Sequence, residues 1–363
     1  MTAPTSSSLP RKIRIAFLGF RHGHIFSLLE QVRQRTDLEL VAAAEEDAAT
    51  RKVLSDEKRV EVTHDSIDQL LKEVPCEAVA VGDYYGKRGA VIIKALEHGK
   101  HVVSDKPICT SLAEWDQIQK LARKKKLSVG CQLDMRENGL FLEMRRLIRG
   151  GEIGAVHAVG FCGQHPLLYG SRAGWYFEEG KQGGTLNDIT VHAMDFIPWV
   201  TGLEFKEINH ARVWNARHKK TPFFQDGAQV MLTMDNGCGV MGDVSYLAPD
   251  SQGYSMAPYW RTTFWGEQGV IENNLSRKEV IIYRNGETAP RVIANPQGMT
   301  GGILDAFVRE IRGEARDLLL STDEVLRASR LALLIQRAAD GKRGKTEQLV
   351  MNHPEDPNLP SKG

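Results

Sequence analysis

The chain has 363 residues, 42% of them hydrophobic and 26% charged, a size and composition suited to two domains with sizeable cores. A formal net charge of +1 gives no reason to expect nucleic acid or an anionic membrane as partner. No apolar run approaches the roughly 20 residues needed to span a bilayer.

Residues 1–10 (MTAPTSSSLP) lack the apolar stretch of a secretory signal and read as a loose leader. IRIAFL (13–18) is a short apolar run of the kind found in buried parallel strands. Ile25, Leu28, Leu29 and Val32 then repeat at the spacing of a helix with one buried face. LELVAAA (38–44) is a second strand and ends in Glu45-Glu46-Asp47. AVAV (78–81) precedes a helix carrying Val91, Ile92, Ala95 and Leu96, which Gly99 terminates, and HVVS (101–104) follows. A helix over 112–126 ends in a Lys/Arg-rich turn suited to the negative helix terminus, and LSVGC (127–131) is the next strand. Strands and helices alternating in this way imply a doubly wound parallel sheet.

After a helix over about 138–149 the pattern changes. Strand-like runs occur at 155–161, 206–214, 228–234, 238–246, 260–266 and 278–284. Asp235-Asn236-Gly237 and Asn285-Gly286 mark hairpin turns between them, so an α+β domain on a mostly antiparallel open sheet is expected. Two amphipathic helices close the fold. One carries Leu304, Phe307, Val308 and Ile311; the other opens with a Ser321/Glu324 capping box and continues through Leu326, Leu331, Leu334 and Ala338. The tail from 352 is rich in Pro and Asn and reads as loose. The expected division is 11–133 for a nucleotide-binding domain and 134–351 for a substrate domain. The cysteines (Cys76, Cys109, Cys131, Cys162, Cys238) are odd in number and lack metal-ligand spacing, which predicts free thiols and a cytoplasmic setting.

In a doubly wound sheet the first β-to-α turn meets the phosphates of a dinucleotide. Here it reads Gly19-Phe20-Arg21-His22-Gly23-His24, with Arg21 and His24 where a G-x-G-x-x-G pattern has glycine. Gly19 keeps the tight turn, helix amides face the pyrophosphate, and Arg21, His22 or His24 add donors. His22 and His24 have no third ligand nearby in the chain, so no metal is expected. Glu45 ends the second strand where a carboxylate accepts from the adenosine ribose hydroxyls and repels a 2′-phosphate, which favours NAD over NADP. Glu46 and Asp47 read as caps of the following helix.

The segment Gly183-Gly184-Thr185-Leu186-Asn187-Asp188-Ile189-Thr190-Val191-His192 places an acid and an imidazole about one helical turn apart. An acid beside a histidine is the equipment of a general acid/base. The same spacing also suits a helix start with Asp188 near the dipole and His192 packed beneath it.

Two segments carry a family resemblance. GKHVVSDKPICTS, with Asp105-Lys106-Pro107 in place of the usual Glu-Lys-Pro, resembles a signature of the glucose–fructose oxidoreductase / inositol dehydrogenase (Gfo/Idh/MocA) family. Gly183, Gly184, Asp188 and His192 resemble its second signature, G-G-G-x-x-x-D-x-x-x-H. DMRENGLFLEMRRLIRGGEIG (134–154) and the two C-terminal helices are similar to further parts of that family, so the resemblance covers about 11–345. It implies a Rossmann domain followed by the α+β domain, with Lys106, Asp188 and His192 flanking the nicotinamide and the reacting carbinol carbon. His192 suits the base that removes a hydroxyl proton, with Asp188 orienting it, and Lys106 suits stabilisation of developing alkoxide charge. Asp105 would tether the lysine or the nicotinamide ribose.

The chain departs from the family pattern after AVAV (78–81). Gly82-Asp83-Tyr84-Tyr85-Gly86-Lys87-Arg88 replaces the usual loop, with Tyr84 expected against the cofactor and Arg88 where a histidine is usual. Arg136 resembles a family arginine at the cofactor cleft and is either a ligand or an interdomain anchor. His165, Tyr169, Arg172 and Trp175 are the remaining candidates for the substrate pocket. The reading is an NAD-dependent oxidoreductase of a sugar, polyol or sugar derivative, assembled as a homodimer or homotetramer. Two alternatives are an NAD-using glycosidase working by transient oxidation and elimination, and a non-catalytic sensor.

Overall fold

The computed structural model describes residues 11–314 and 316–341, and the backbone of 347 and 348. The expected leader and tail lie outside the described residues.

Five strands, β1 (Ile13–Leu18), β2 (Leu38–Ala44), β3 (Ala78–Val81), β4 (His101–Ser104) and β5 (Val129–Cys131), form a parallel sheet in the order β2-β1-β3-β4-β5. Between them run α1 (Ile25–Gln34), α2 (Ala48–Asp56), α3 (Ile67–Glu73), α4 (Tyr85–Glu97) and α5 (Leu112–Lys125). Helices cover both faces, so the strands must be apolar throughout; every residue of β3, and all of β1 except Arg14, is buried. The strand order reverses between β1 and β3, the place where ligands of doubly wound sheets bind in a crevice at the strands' carboxyl ends.

The second domain contains α6 (Gly139–Arg149), β6 (Val156–Pro166), α7 (Val191–Thr201), β7 (Phe205–Trp214), β8 (Gly227–Met234) and β9 (Gly239–Ala248). It continues with β10 (Arg261–Gly266), β11 (Gly269–Asn274), β12 (Glu279–Arg284), β13 (Arg291–Ala294), α8 (Gly302–Ile311), α9 (Thr322–Asp340) and β14 (Glu347–Gln348). Nine strands make one sheet, β13-β12-β11-β10-β6-β9-β8-β7-β14, antiparallel except where β6 lies parallel to β9. Along β9 the side chains alternate: Val240, Gly242 and Val244 face the core while Met241 and Asp243 face out. The outer face leaves Met231, Met241 and Trp265 exposed. Strand β6 runs past the expected 161 to Pro166, which carries His165 toward the other domain. Strands β11 and β13 had no clear pattern; β11 ends in Glu-Asn-Asn, residues that read as a turn.

The C-terminal helices return to the first domain. Leu304, Phe307 and Val308 of α8 join Ile15 and Phe17 of β1 and the apolar stripe of α1 in one core on one face of the parallel sheet. Helix α9, with its Ser321/Glu324 capping box in place, packs on α5 and β5 as well as on α7 and β7. No helix among the described residues is long and apolar enough to cross a membrane.

Candidate active site

The crevice is framed by the turn after β1 and the loop after β3. Gly19 has φ +78°, and a Cβ there would lie 2.8 Å from the Asp83 Cβ, so only glycine suits this turn. Glu45, fully buried at the end of β2, accepts from the Phe20 amide (2.7 Å) and the Asp47 amide (2.8 Å). Burial pushes its pKa up, and those amides partly oppose the shift. Phe20 contributes its amide here and buries its ring against Phe17. The Gly82 carbonyl accepts from the His22 amide at 3.0 Å. Arg21 pairs with Asp83 (Nε–Oδ1 2.7 Å) and lies 4.5 Å over the Tyr84 ring. Among the described residues no protein acceptor takes the amides of Arg21, Gly23 or His24 at the start of α1. Unused amides at a helix N-terminus, beside a turn kept tight by Gly19, fit a dinucleotide pyrophosphate. Asp47 caps α2 as expected, whereas Glu46 instead accepts from the Ile67 amide at the start of α3.

Behind this turn lies a buried polar network. Asp105 accepts from the Lys106 amide (2.7 Å), from Arg88 Nη2 (3.0 Å) and from His22, and stands 3.3 Å from His24 Nδ1. It therefore holds Lys106 through its backbone amide rather than through its ammonium. Burial works against its charge, but His22 and Arg88 outweigh it and keep the carboxyl well below its usual range. Arg88 is fully buried and also donates to the carbonyls of Asp83, Lys106 and Pro107, so it ties together the ends of β3 and β4. Burial, only partly opposed by Asp105, lowers the His22 pKa to about 4.

The second constellation joins the domains. The Lys106 ammonium donates to Asp188 Oδ1 at 2.7 Å and to the Asp188 carbonyl at 3.1 Å. The other carboxylate oxygen accepts from Gln182 (3.3 Å) and from the Tyr246 hydroxyl on β9. Burial disfavours the charge on Asp188, yet Lys106 prevails and holds its pKa well below the usual range. Asp188 sits in a single π-turn, Leu186–Thr190, that leads directly into α7. Two glycines permit this entry: Gly184 has φ +98°, and a Cβ on it would meet Gln336 of α9 at 2.2 Å.

His192 is buried on the first turn of α7, 5.6 Å from the Trp260 ring. The expected Asp188–His192 hydrogen bond is not made. A buried carboxylate gains more from an ammonium than from a neutral ring, so Asp188 is taken by Lys106. Among the described residues Nδ1 of His192 has no hydrogen-bond partner, and its nearest carboxylate is Asp134 at 3.9 Å. Burial, reinforced by the Lys106 charge, drives the His192 pKa well below its usual value, so the ring is neutral.

The expected substrate residues divide. Arg136 is fully buried, pairs with Asp195 (2.6 Å) and Glu324 (2.9 Å), and donates to the Leu319 carbonyl (2.7 Å). It is a structural anchor, and the ligand reading is corrected. Tyr169 is 61% exposed and stacks on His218, away from Lys106 and its partners. Arg172 spends its donors on the carbonyls of Leu167 and Pro166 and lies over Tyr176 and Tyr246. Trp175 is buried with its indole N–H on the Arg21 carbonyl (3.2 Å), so it covers the nucleotide turn. His165 fits best: its ring, with a pKa lowered to about 4 by burial, is surrounded by Tyr246, Tyr254, Tyr259 and Trp260.

Sequence reasoning missed Tyr85, Tyr176, Gln182 and Tyr246. Tyr85 and Tyr176 share a 2.6 Å hydrogen bond and both reach Nε2 of His22. For Tyr246 the alternation of β9 was available as a signal for an inward side chain. The contacts of Tyr85 and Tyr176 span 63 to 154 positions of sequence and leave no local trace, whereas Gln182 lies only six positions before Asp188.

Residues 13–132 match the model of the oxidoreductase family with an NAD-binding Rossmann fold, and residues 141–272 match the GFO/IDH/MocA C-terminal domain. The dTDP-3,4-didehydro-2,6-dideoxy-alpha-D-glucose 3-reductase of Saccharopolyspora spinosa is 30% identical over 274 residues, 72% of this chain and 74% of that protein. The scyllo-inositol 2-dehydrogenase (NAD(+)) of Bacillus subtilis is 24% identical over 275 residues, 72% of this chain and 74% of its own. An inositol dehydrogenase homologue from Azotobacter vinelandii, solved with NAD+, superposes with a TM-score of 0.79 at 18% identity, over 96% of this chain and 100% of that one. Two matching domain models in tandem, on a crevice built for a dinucleotide, establish that the chain is an NAD-binding oxidoreductase of the Gfo/Idh/MocA family.

Proposed function

We propose that the chain transfers a hydride between NAD and a carbinol carbon of a sugar, polyol or sugar derivative, with His192 as the base and Lys106 as the charge stabiliser. The observation that carries this reading is the neutral, unpartnered Nδ1 of His192 beside a buried ammonium. An ammonium has three donors, and Asp188 takes two of those on Lys106, leaving one for a substrate oxygen. His192 accepts the hydroxyl proton as that oxygen becomes a carbonyl oxygen, and Lys106 stabilises the charge that develops on it. NAD, when bound, supplies the hydride acceptor. In place of orienting His192, Asp188 fixes Lys106. The rings of Tyr254, Tyr259 and Trp260 around His165 suit the apolar faces of a sugar or inositol ring. The names of the relatives, an inositol dehydrogenase and a sugar-nucleotide reductase, support the same substrate class.

On this reading residues 11–133 bind the cofactor, 134–351 shape the substrate pocket, and Glu45 selects NAD. The exposed Met231, Met241 and Trp265 on the outer sheet face support a dimer or tetramer formed through it. Five unpaired cysteines support a cytoplasmic setting.

The test is a panel of inositols, aldoses and sugar nucleotides incubated with NAD, following NADH formation. Net NADH from at least one member supports the reading, and none from any member removes it. Hydrolysis of a glycoside with no net NADH would support transient oxidation and elimination instead.

A further inference from the structure

We propose that His22, His24 and Asp105 form a binding site for one divalent transition-metal cation, of the Zn²⁺ or Co²⁺ type, at the dinucleotide turn. Nothing in the reaction described above uses a metal, and the two readings stand or fall separately.

Each of the three residues offers one ligand atom, and these atoms lie within 4.8 Å of one another. Donors held 2.0–2.2 Å from a common tetrahedral ion stand about 3.4 Å apart, so small rotations close the set. His24 has the freedom to make them: its side chain is 58% exposed, and its Nδ1 is already 3.3 Å from Asp105 Oδ1. His22 Nδ1 and Asp105 Oδ2 are in direct hydrogen-bond contact, so an ion that replaces the shared proton also parts them toward that spacing. Among the described residues this is the only group of three His, Cys, Asp or Glu side chains so placed. Two imidazoles and one carboxylate are a donor set for borderline cations rather than for Ca²⁺ or Mg²⁺.

The surroundings are those of a metal site's outer shell. Ligating histidines donate their second ring N–H to a fixed acceptor, and ligating carboxylates are themselves hydrogen-bonded. Nε2 of His22 faces the hydroxyls of Tyr85 (3.2 Å) and Tyr176 (3.3 Å), so when an ion takes the place of the proton that Nδ1 donates to Asp105, either hydroxyl can accept an Nε2 proton and fix the ligating tautomer. Asp105 is oriented by Arg88 Nη2 and the Lys106 amide. The Arg88 charge opposes the ion and sets affinity below that of an all-anionic site. Three protein ligands leave a coordination position on the exposed side of His24, open to water or to an oxygen of a phosphate, hydroxyl or carboxylate group.

The experiment uses the full chain, stripped with a chelator and dialysed, with calorimetric titration of Co²⁺ and Zn²⁺ and the visible absorption of the Co²⁺ form. The expected result is one ion per chain with Kd of about 10 µM or tighter, a tetrahedral N/O-ligated Co²⁺ spectrum, and displacement of Co²⁺ by Zn²⁺. His24→Ala, at a half-exposed position, should keep the fold by circular dichroism and weaken binding by at least about tenfold. His210→Ala, on the exposed outer sheet face, should leave binding unchanged. No binding in the wild type, or equal binding in wild type and His24→Ala, overturns the site. NAD titrated into the same stripped sample is a separate measurement. Retained NAD binding without metal binding would remove this site and leave the oxidoreductase reading intact.

Discussion

The two polar clusters that meet at Lys106 are built on opposite terms. Around Asp105 the lone pairs are matched: two backbone or guanidinium donors and two histidines converge on one carboxylate. Around His192 they are not, because among the described residues a buried ring nitrogen has no partner and one ammonium donor on Lys106 is left over. A buried polar group without a partner costs roughly 1–3 kcal/mol. A fold retains that cost where a bound molecule will supply the partner. The unsaturated cluster therefore reads as the place of hydride transfer, and the matched one, in the metal-free chain, as the frame that holds Lys106, a contrast that can be broken by experiment.

The largest expected effect is at the open nitrogen. His192→Ala should lower turnover by about 10²–10⁴, the scale of general-base catalysis, with NAD affinity little changed. Near-normal turnover would make the bare nitrogen a packing defect. Next is the choice of partner for Asp188. Lys106→Ala should cost about a hundredfold or more in turnover. In double-mutant cycles Lys106→Ala and Asp188→Asn should be strongly non-additive, while Asp188→Asn and His192→Ala should combine nearly additively. The reverse pattern would restore an Asp188–His192 dyad.

A smaller effect comes from protons. His22 and His165 have folded pKa values of about 4, below the roughly 6.5 of a free histidine. Between those values the unfolded chain binds more protons, so stability is full above about pH 6.5 and falls as pH drops toward 4. The slope is about 1.4 kcal/mol per pH unit for each such histidine. Urea midpoints measured at pH 7 and pH 5 should differ accordingly, and His165→Gln should remove part of the difference. The smallest effect is at Glu45. Glu45→Gln should weaken NAD binding by about tenfold, roughly one hydrogen bond to a charged group, and narrow the preference over NADP. Unchanged affinities would confine Glu45 to bracing the Phe20 and Asp47 amides.

Much of this was legible in the amino-acid order because it is local. Strands such as β1 and β3 announce themselves by unbroken apolar runs, and α9 by its capping box. Lys106, Asp188 and His192 stood out through short signatures. What was hidden is long-range pairing. Nothing near Asp188 in the chain says that its partners are Lys106, 82 positions away, and Tyr246, 58 positions away. Arg136 misled for the same reason, since its burial depends on Asp195 and Glu324 on two later helices. The neighbourhood of His22 and His24 was hidden likewise, because Asp105 comes to His22 from another strand.

Helix α8 has a consequence for how the protein is made. Its Leu304, Phe307 and Val308 cover the face of the parallel sheet that holds Ile15 and Phe17, and a Cβ on Gly130 of β5 would touch Phe307 at 3.0 Å. A ribosome has synthesised more than four-fifths of the 363 residues before this covering piece exists. The first domain to emerge is thus among the last to be completed, and its sheet waits with one face partly bare. A fragment cut at residue 133 would carry that bare face permanently, so expressing the cofactor domain alone should yield a sticky, aggregation-prone product rather than a miniature NAD-binding protein.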